Sequence, residues 1–215
     1  MRMLIIAKFG GTSVGNANAF KQVASIVKSN SNIRVVVLSA MSGVTNALRD
    51  IFNQTTNNRK AKCQIIIDMH KDIIEQLGLD IASKQIEPIV NELCLLAETA
   101  ANLSHLDQLL SIGERLSSLI LTELLIKENI SALLVDSREL IITDDHFGKA
   151  SPILAEIKFR CRDKISAKLK DFIILTQGFI GCTNTGLITT LGRGGSDYSA
   201  GLLAEFKCKF IGDLH

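Results

Sequence analysis

MLIIAKFGGTSVGNANAFKQVASIVKSNSNIRVVVL, Met3 to Leu38, changes its hydrophobic period twice. Met3 to Ala7 is a short continuous apolar run, which suits a central strand buried on both faces. Glycines follow it, and Asn16 to Ser29 then takes up helical spacing, with Phe20, Val23, Ala24 and Val27 on one side. Ile33 to Leu38 returns to a β-branched run. Strand, helix and strand over this length predict a βαβ unit with parallel strands and a right-handed crossover. The loops after the two strands should therefore emerge at the same sheet edge.

Beyond this unit, helical periodicity dominates from about Asn46 to Lys127. It runs through Ile65 to Leu77, a turn near Gly78 to Asp80, and Ile86 to Ala101, where Pro88 sits near the start and its missing N–H costs little. The strongest helix is Leu106 to Lys127, with Leu106, Leu109, Leu110, Gly113, Leu116, Ile120 and Leu124 recurring at three and four. Ser131 to Val135 is a strand candidate, TDDHFGKASP (Thr143 to Pro152) a turn-rich loop, Leu154 to Leu169 a helix and Phe172 to Leu175 a further central strand. With no repeat or linker, the pattern predicts one domain, a three-layer α/β/α sandwich around a mostly parallel sheet. Ligands of such sheets sit beyond the carboxyl ends of the strands, which directs attention to the segments after Ala7, Leu38 and Leu175.

The composition is that of an ordinary globular protein: 215 residues, 47% hydrophobic, 21% charged, net charge +2. That charge gives no electrostatic reason to expect nucleic acid or an anionic membrane as partner, so a small molecule is expected. Cys63, Cys94, Cys161, Cys182 and Cys208 form no C-x-x-C pair and read as reduced, mostly buried thiols. His70, His105, His146 and His215 have no metal-like spacing, and surface or loop positions are expected for them. The apolar start is interrupted at Lys8, far short of a membrane span, and a cytoplasmic location is expected.

Four segments could carry chemistry. In KFGGTSVG, Gly10 and Gly11 can bring backbone N–H groups close to a phosphate at a helix start, or simply form a turn beside a surface lysine. The order of a P-loop is absent, because Asn16 stands where its lysine would be and Lys8 lies upstream. In LSAMSGVTNAL, Ser39, Ser42, Gly43 and Thr45 can donate to an anion, while the simpler reading is Thr45 capping a helix that starts near Asn46. In LLSIGERLSSLIL, Glu114 lies on or beside the apolar stripe and needs a partner there, either a structural salt bridge or a ligand ammonium. Arg115 points elsewhere and is not an obvious partner. In TQGFIGCTNTGLITTLGRGGSD, an irregular loop leads to a helix with Ser196 or Asp197 at its N-cap, and Arg193 among three glycines can grip a carboxylate or phosphate. Asp197 is a cap, a cation ligand or an orienter of Lys8.

Taken together and in order, KFGGTSV, VVVLSAMSGVTN, SIGERLSS and TQGFIG followed by TTLGRGGSDYSA resemble the aspartokinases of the amino-acid kinase superfamily, from Lys8 to about Glu205. The resemblance leans toward the lysine-sensitive, monofunctional branch. It implies ATP-dependent phosphorylation of the L-aspartate side-chain carboxylate to 4-phospho-L-aspartate, the first step toward lysine, threonine and methionine. Lys8 matches the family's catalytic lysine, with Gly10 and Gly11 as its phosphate cradle. Arg193 and Ser196 would take the substrate α-carboxylate, and Glu114 and Asp197 would receive its ammonium or orient Lys8. Ser39 and Thr45 would bind near the reacting end, with Phe179 contributing backbone and shape. Mg2+ would accompany ATP, held by phosphate oxygens and water.

The same resemblance sets an expectation of incompleteness. The family continues with a strand and a W-T-D-V-P-like nucleotide motif, then with paired ACT regulatory domains, whereas this sequence ends in FKCKFIGDLH. The expectation is a partial catalytic domain, 1–215, with weak or absent turnover and self-association through an uncovered sheet edge. The rival readings are a catalytically silent aspartate- or anion-binding module, and a kinase for glutamate, N-acetylglutamate, carbamate or a nucleotide. The order SIGERLSS before GRGGSD favours aspartate.

Overall fold

The structure, a computed structural model, describes residues 4–54, 56–99 and 102–210. In chain order, β1 (Ile5–Phe9), α1 (Ala17–Ser29) and β2 (Ile33–Leu38) form the βαβ unit. Five helices follow: α2 (Val44–Asn53), α3 (Thr56–Leu77), α4 (Asp80–Gln85), α5 (Glu87–Thr99) and α6 (Leu103–Lys127). The remainder comprises β3 (Ala132–Leu134), β4 (Ile142–Thr143), α7 (Leu154–Lys164), β5 (Ile173–Gln177), β6 (Ile180–Thr183), β7 (Ile188–Thr190) and α8 (Gly195–Phe210).

The main sheet has the order β1-β2-β5-β3, with every pairing parallel. Alternate residues of β2 explain its continuous apolar run. Val36 and Leu38 pack into the large core built with α1 to α6, while Val35 and Val37 pack into a smaller core with Ile157 and Cys161 of α7 and Leu202 and Leu203 of α8. Helices thus cover both faces, as the sequence predicts. The register matters for function: Phe9 lies opposite Leu38, and Leu38 opposite Gln177, so three strands end level and release their loops at one edge.

Four expectations need correction. β1 is an edge strand with all five residues half-buried, not a central strand; an apolar run signals burial but not place in the sheet. The segment after β5 is not an irregular loop. It contains the antiparallel pair β6 and β7, which joins β4 in a second, three-stranded sheet turned by Gly186 at φ 89°. The helix expected to reach Leu169 ends at Lys164, and a short 3-10 turn occupies Lys168–Lys170. His70 is fully buried on α3, where its Nδ1 lies 2.7 Å from the Ile66 carbonyl. Cys63, Cys161 and Cys182 are buried free thiols and Cys94 is exposed; the Cys208 side chain and His215 lie outside the described residues. Among the described residues, no helix is long and apolar enough to cross a membrane.

Candidate active site

The first wall of the site is the tip of β1. After Phe9 the chain makes a 3-10 turn, Gly11–Val14, and Asn16 then caps α1 by accepting from Ala19 N at 2.9 Å. Gly11 is required for close approach rather than for an unusual φ. A Cβ there would lie 2.9 Å from the Ala40 carbonyl oxygen, and Ser42 N donates to the Gly11 carbonyl at 3.1 Å. The first loop is thereby fastened to the second. Lys8 Nζ reaches the opposite side and meets Asp197 Oδ1 at 3.0 Å.

The second loop brings in Ser39, half-buried, whose N–H donates to the Phe9 carbonyl and whose own carbonyl accepts from Ser117 Oγ of α6 at 2.8 Å. Here Thr45 is not the helix cap. Gly43, at φ 84°, occupies that position, so Thr45 sits in the first turn of α2 with its side chain available to the cleft. One turn later Arg49 lines the same cleft.

Helix α6 supplies the floor. Gly113 lets it press against the second loop, since a Cβ there would lie 2.7 Å from Ala40 Cβ. Glu114 is 2% exposed and its Oε2 has no hydrogen-bond partner, while Arg115 turns away to Glu92 of α5 at 2.8 Å. Burial pushes the Glu114 carboxyl up to about 8, although its own and the Ala40 backbone amides act in the opposite direction. Two turns earlier, Asp107 is fully buried and lines the cleft with Leu110 and Glu114. Sequence reasoning passed over it. The available signal was its spacing of three from Leu110 and seven from Glu114, on the apolar stripe.

The fourth wall depends on backbone bends. Phe179 has φ 68°, held by its N–H donating to Ser199 Oγ at 3.0 Å and its carbonyl accepting from Leu191 N at 2.9 Å. Gly192 and Gly194, at φ 76° and 75°, flank Arg193 and turn the chain into α8. The Gly194 carbonyl accepts from Tyr198 N, so Ser196 and Asp197 lie inside the first turn and neither is the N-cap.

These walls enclose an open cleft of about 550 Å³ lined by Lys8, Ser39, Thr45, Glu114, Phe179, Arg193, Ser196 and Asp197. Gly10 and Gly11 are not among the lining residues, although a Cβ built at Gly10 would lie 3.6 Å from Lys8 Nζ. The cleft offers three cations, Lys8, Arg49 and Arg193, and one buried carboxyl with a free oxygen. That set matches a ligand with an ammonium and more than one anionic group. Among the described residues, no group of three or more His, Cys, Asp or Glu could hold a metal ion.

Residues 3–207 match the amino acid kinase family, and the chain belongs to it. Within that family it is similar to lysine-sensitive aspartokinase 3 of Escherichia coli, 38% identical over 210 residues that cover 95% of this chain and 47% of that protein. It is also 35% identical to an aspartokinase of Chlamydia trachomatis, covering 95% of this chain and 46% of the relative. The fold superposes on the crystal structure of E. coli aspartokinase III in complex with aspartate and ADP with a TM-score of 0.92 at 37% identity, over 95% of this chain and 47% of the other. The chain spans about half the length of the curated relatives it matches.

Proposed function

We propose that this chain carries the acceptor half of an aspartokinase site, whose reaction is ATP-dependent phosphorylation of the L-aspartate side-chain carboxylate to 4-phospho-L-aspartate, toward lysine, threonine and methionine. The observation that carries the reading is Glu114: a buried carboxyl with an unpartnered oxygen, in a cleft that also holds Arg193 and Lys8. A ligand ammonium satisfies that oxygen, and Arg193 grips the α-carboxylate with Ser196 beside it. The side-chain carboxylate is then directed toward Lys8, with Ser39 and Thr45 as hydrogen-bond donors and Phe179 shaping the wall.

The chemistry needs charge neutralisation above all, because a carboxylate must approach a triphosphate of the same sign. Lys8 is suited to stabilise the transferring phosphoryl group, and Asp197, its 3.0 Å partner, to orient it. Gly10 and Gly11 would cradle the phosphates of ATP through their backbone N–H groups. Mg2+ would travel with ATP, held mainly by phosphate oxygens and water. The similarity of the chain to aspartokinases, and the aspartate and ADP in the E. coli structure, support this reading. A cytoplasmic setting is part of the same proposal.

The test is to incubate the chain with Mg-ATP, L-aspartate and hydroxylamine and to assay aspartyl hydroxamate, with calorimetric aspartate binding alongside. Aspartate binding lost in R193A supports the acceptor assignment, and hydroxamate formation lost in K8A supports catalysis by this chain. Binding without hydroxamate favours the silent binding module. A chain that shows no aspartate binding and no turnover overturns the proposal.

A further inference from the structure

Asp107 is fully buried, yet all its bonds leave its own helix. Oδ2 accepts from Gly148 N at 2.8 Å and Thr190 N at 2.9 Å, and Oδ1 accepts from Thr190 Oγ1 at 2.7 Å. Burial raises its carboxyl and these three donors oppose the rise, with the positive charge of Arg49 on the facing α2 acting the same way. The two segments it grips both lead to Arg193. Thr190 ends β7, three residues before Arg193. Gly148 belongs to the turn-rich loop between β4 and α7, where its carbonyl and the Lys149 stem pack against Gly192, 3.3 and 3.4 Å from a Cβ built there. Ala150 N donates to the Thr190 carbonyl at 2.9 Å and closes the assembly. Glu114 sits on the same helix as Asp107, two turns on.

We propose that Asp107 is a positioning residue that fixes the distance between Glu114 and Arg193, and with it the preference of the cleft for a ligand carrying both an ammonium and a carboxylate. The inference rests on the aspartate-binding reading above. A buried carboxylate that only stabilised the fold could bond anywhere; this one joins the helix bearing the ammonium partner to the two backbone segments that aim the carboxylate partner. Without the clamp, Arg193 keeps its charge but loses its fixed place relative to Glu114. A ligand bridging both then suffers more than one that engages Arg193 alone.

Calorimetry on the 215-residue chain with L-aspartate and with succinate, which lacks the ammonium, tests this. D107N is expected to weaken L-aspartate binding by about tenfold while changing succinate by less than about threefold, so that the preference collapses. T190V removes one of the three bonds and should move the preference in the same direction by less; T190S keeps the hydroxyl and should restore it. If D107N does not fold, T190V against T190S decides alone. A wild type that binds aspartate, with its preference unchanged in these variants, overturns the inference and leaves the function standing. A wild type that does not bind aspartate overturns both.

Discussion

Lys8 Nζ at the end of the first strand and Asp197 Oδ1 in the first turn of the last helix lie 3.0 Å apart, joining opposite ends of the described chain across the cleft. Asp197 is 74% exposed, so solvent screens the pair. D197N is therefore expected to change unfolding free energy by less than about 1 kcal/mol in urea titrations. A much larger loss would show that the pair holds α8 in place rather than orienting a lysine for chemistry.

Glu114 makes stability and binding depend on pH in a definite direction. Its carboxyl is raised from 4.5 to about 8, so between those values the folded chain holds a proton that the unfolded chain has lost. Stability contributed by the neutral form is complete below 4.5 and falls as pH rises through 8. Denaturation at several pH values should show this decline in wild type and its absence in E114Q. Aspartate binding should show the opposite trend, tightening as pH rises toward 8, because the ammonium selects the ionised carboxylate. Calorimetry in buffers of different ionisation enthalpy should detect release of the proton near neutral pH. E114Q should weaken binding about a hundredfold, from loss of a buried ion pair of order 3 kcal/mol.

Gly113 sets helix propensity against packing. Alanine in a helix interior gains about 1 kcal/mol over glycine. Its methyl here would meet Ala40 Cβ at 2.7 Å and Val44 Cγ1 at 3.0 Å, and overpacking of this kind costs about 1–3 kcal/mol. G113A is expected to be net destabilising in urea titrations, and to weaken aspartate binding by displacing the loop that carries Ser39. A stabilised variant would show that the second loop yields easily.

His70 gives an acid-side signature. Burial lowers its pKa from 6.5, and Nε2 is buried without a partner, so the unfolded chain takes up a proton that the native state resists. Stability carried by the neutral ring is complete above 6.5 and lost as pH falls toward the lower native value. H70L should remove this component, worth up to about 1.4 kcal/mol per pH unit, from the stability profile.

What could be read before the fold was known depended on whether a signal was local. Period alone located β2 and α6, and eight of the ten residues given roles beforehand line the cleft, Gly10 and Gly11 being the exceptions. The edge position of β1 was hidden because half-burial on an outer strand uses the same apolar residues as full burial within. The hairpin of β6 and β7 was hidden because its runs are short and β6 pairs with the distant β4. Asp107 was hidden for the related reason that its partners, Gly148 and Thr190, belong to other segments of the chain. Thr45, Ser196 and Asp197 looked like helix caps, but glycines with positive φ made the turns and left those side chains for the cleft.

The burial of α6 gives the two sides of the site different surroundings. Leu109, Ile112, Leu116, Ile120 and Leu121 are sealed in the core, so the helix that carries Glu114 opens to solvent only where the cleft reaches it. Arg193, Gly194 and Asp197 are exposed, although Gly195 and Ser199 just beyond them are buried and tie their turn to Phe179. The ammonium side of the cleft is thus part of the interior, whereas the carboxylate side holds its cation in water. A ligand that bridges the two joins a solvent-facing charge to the core of the domain.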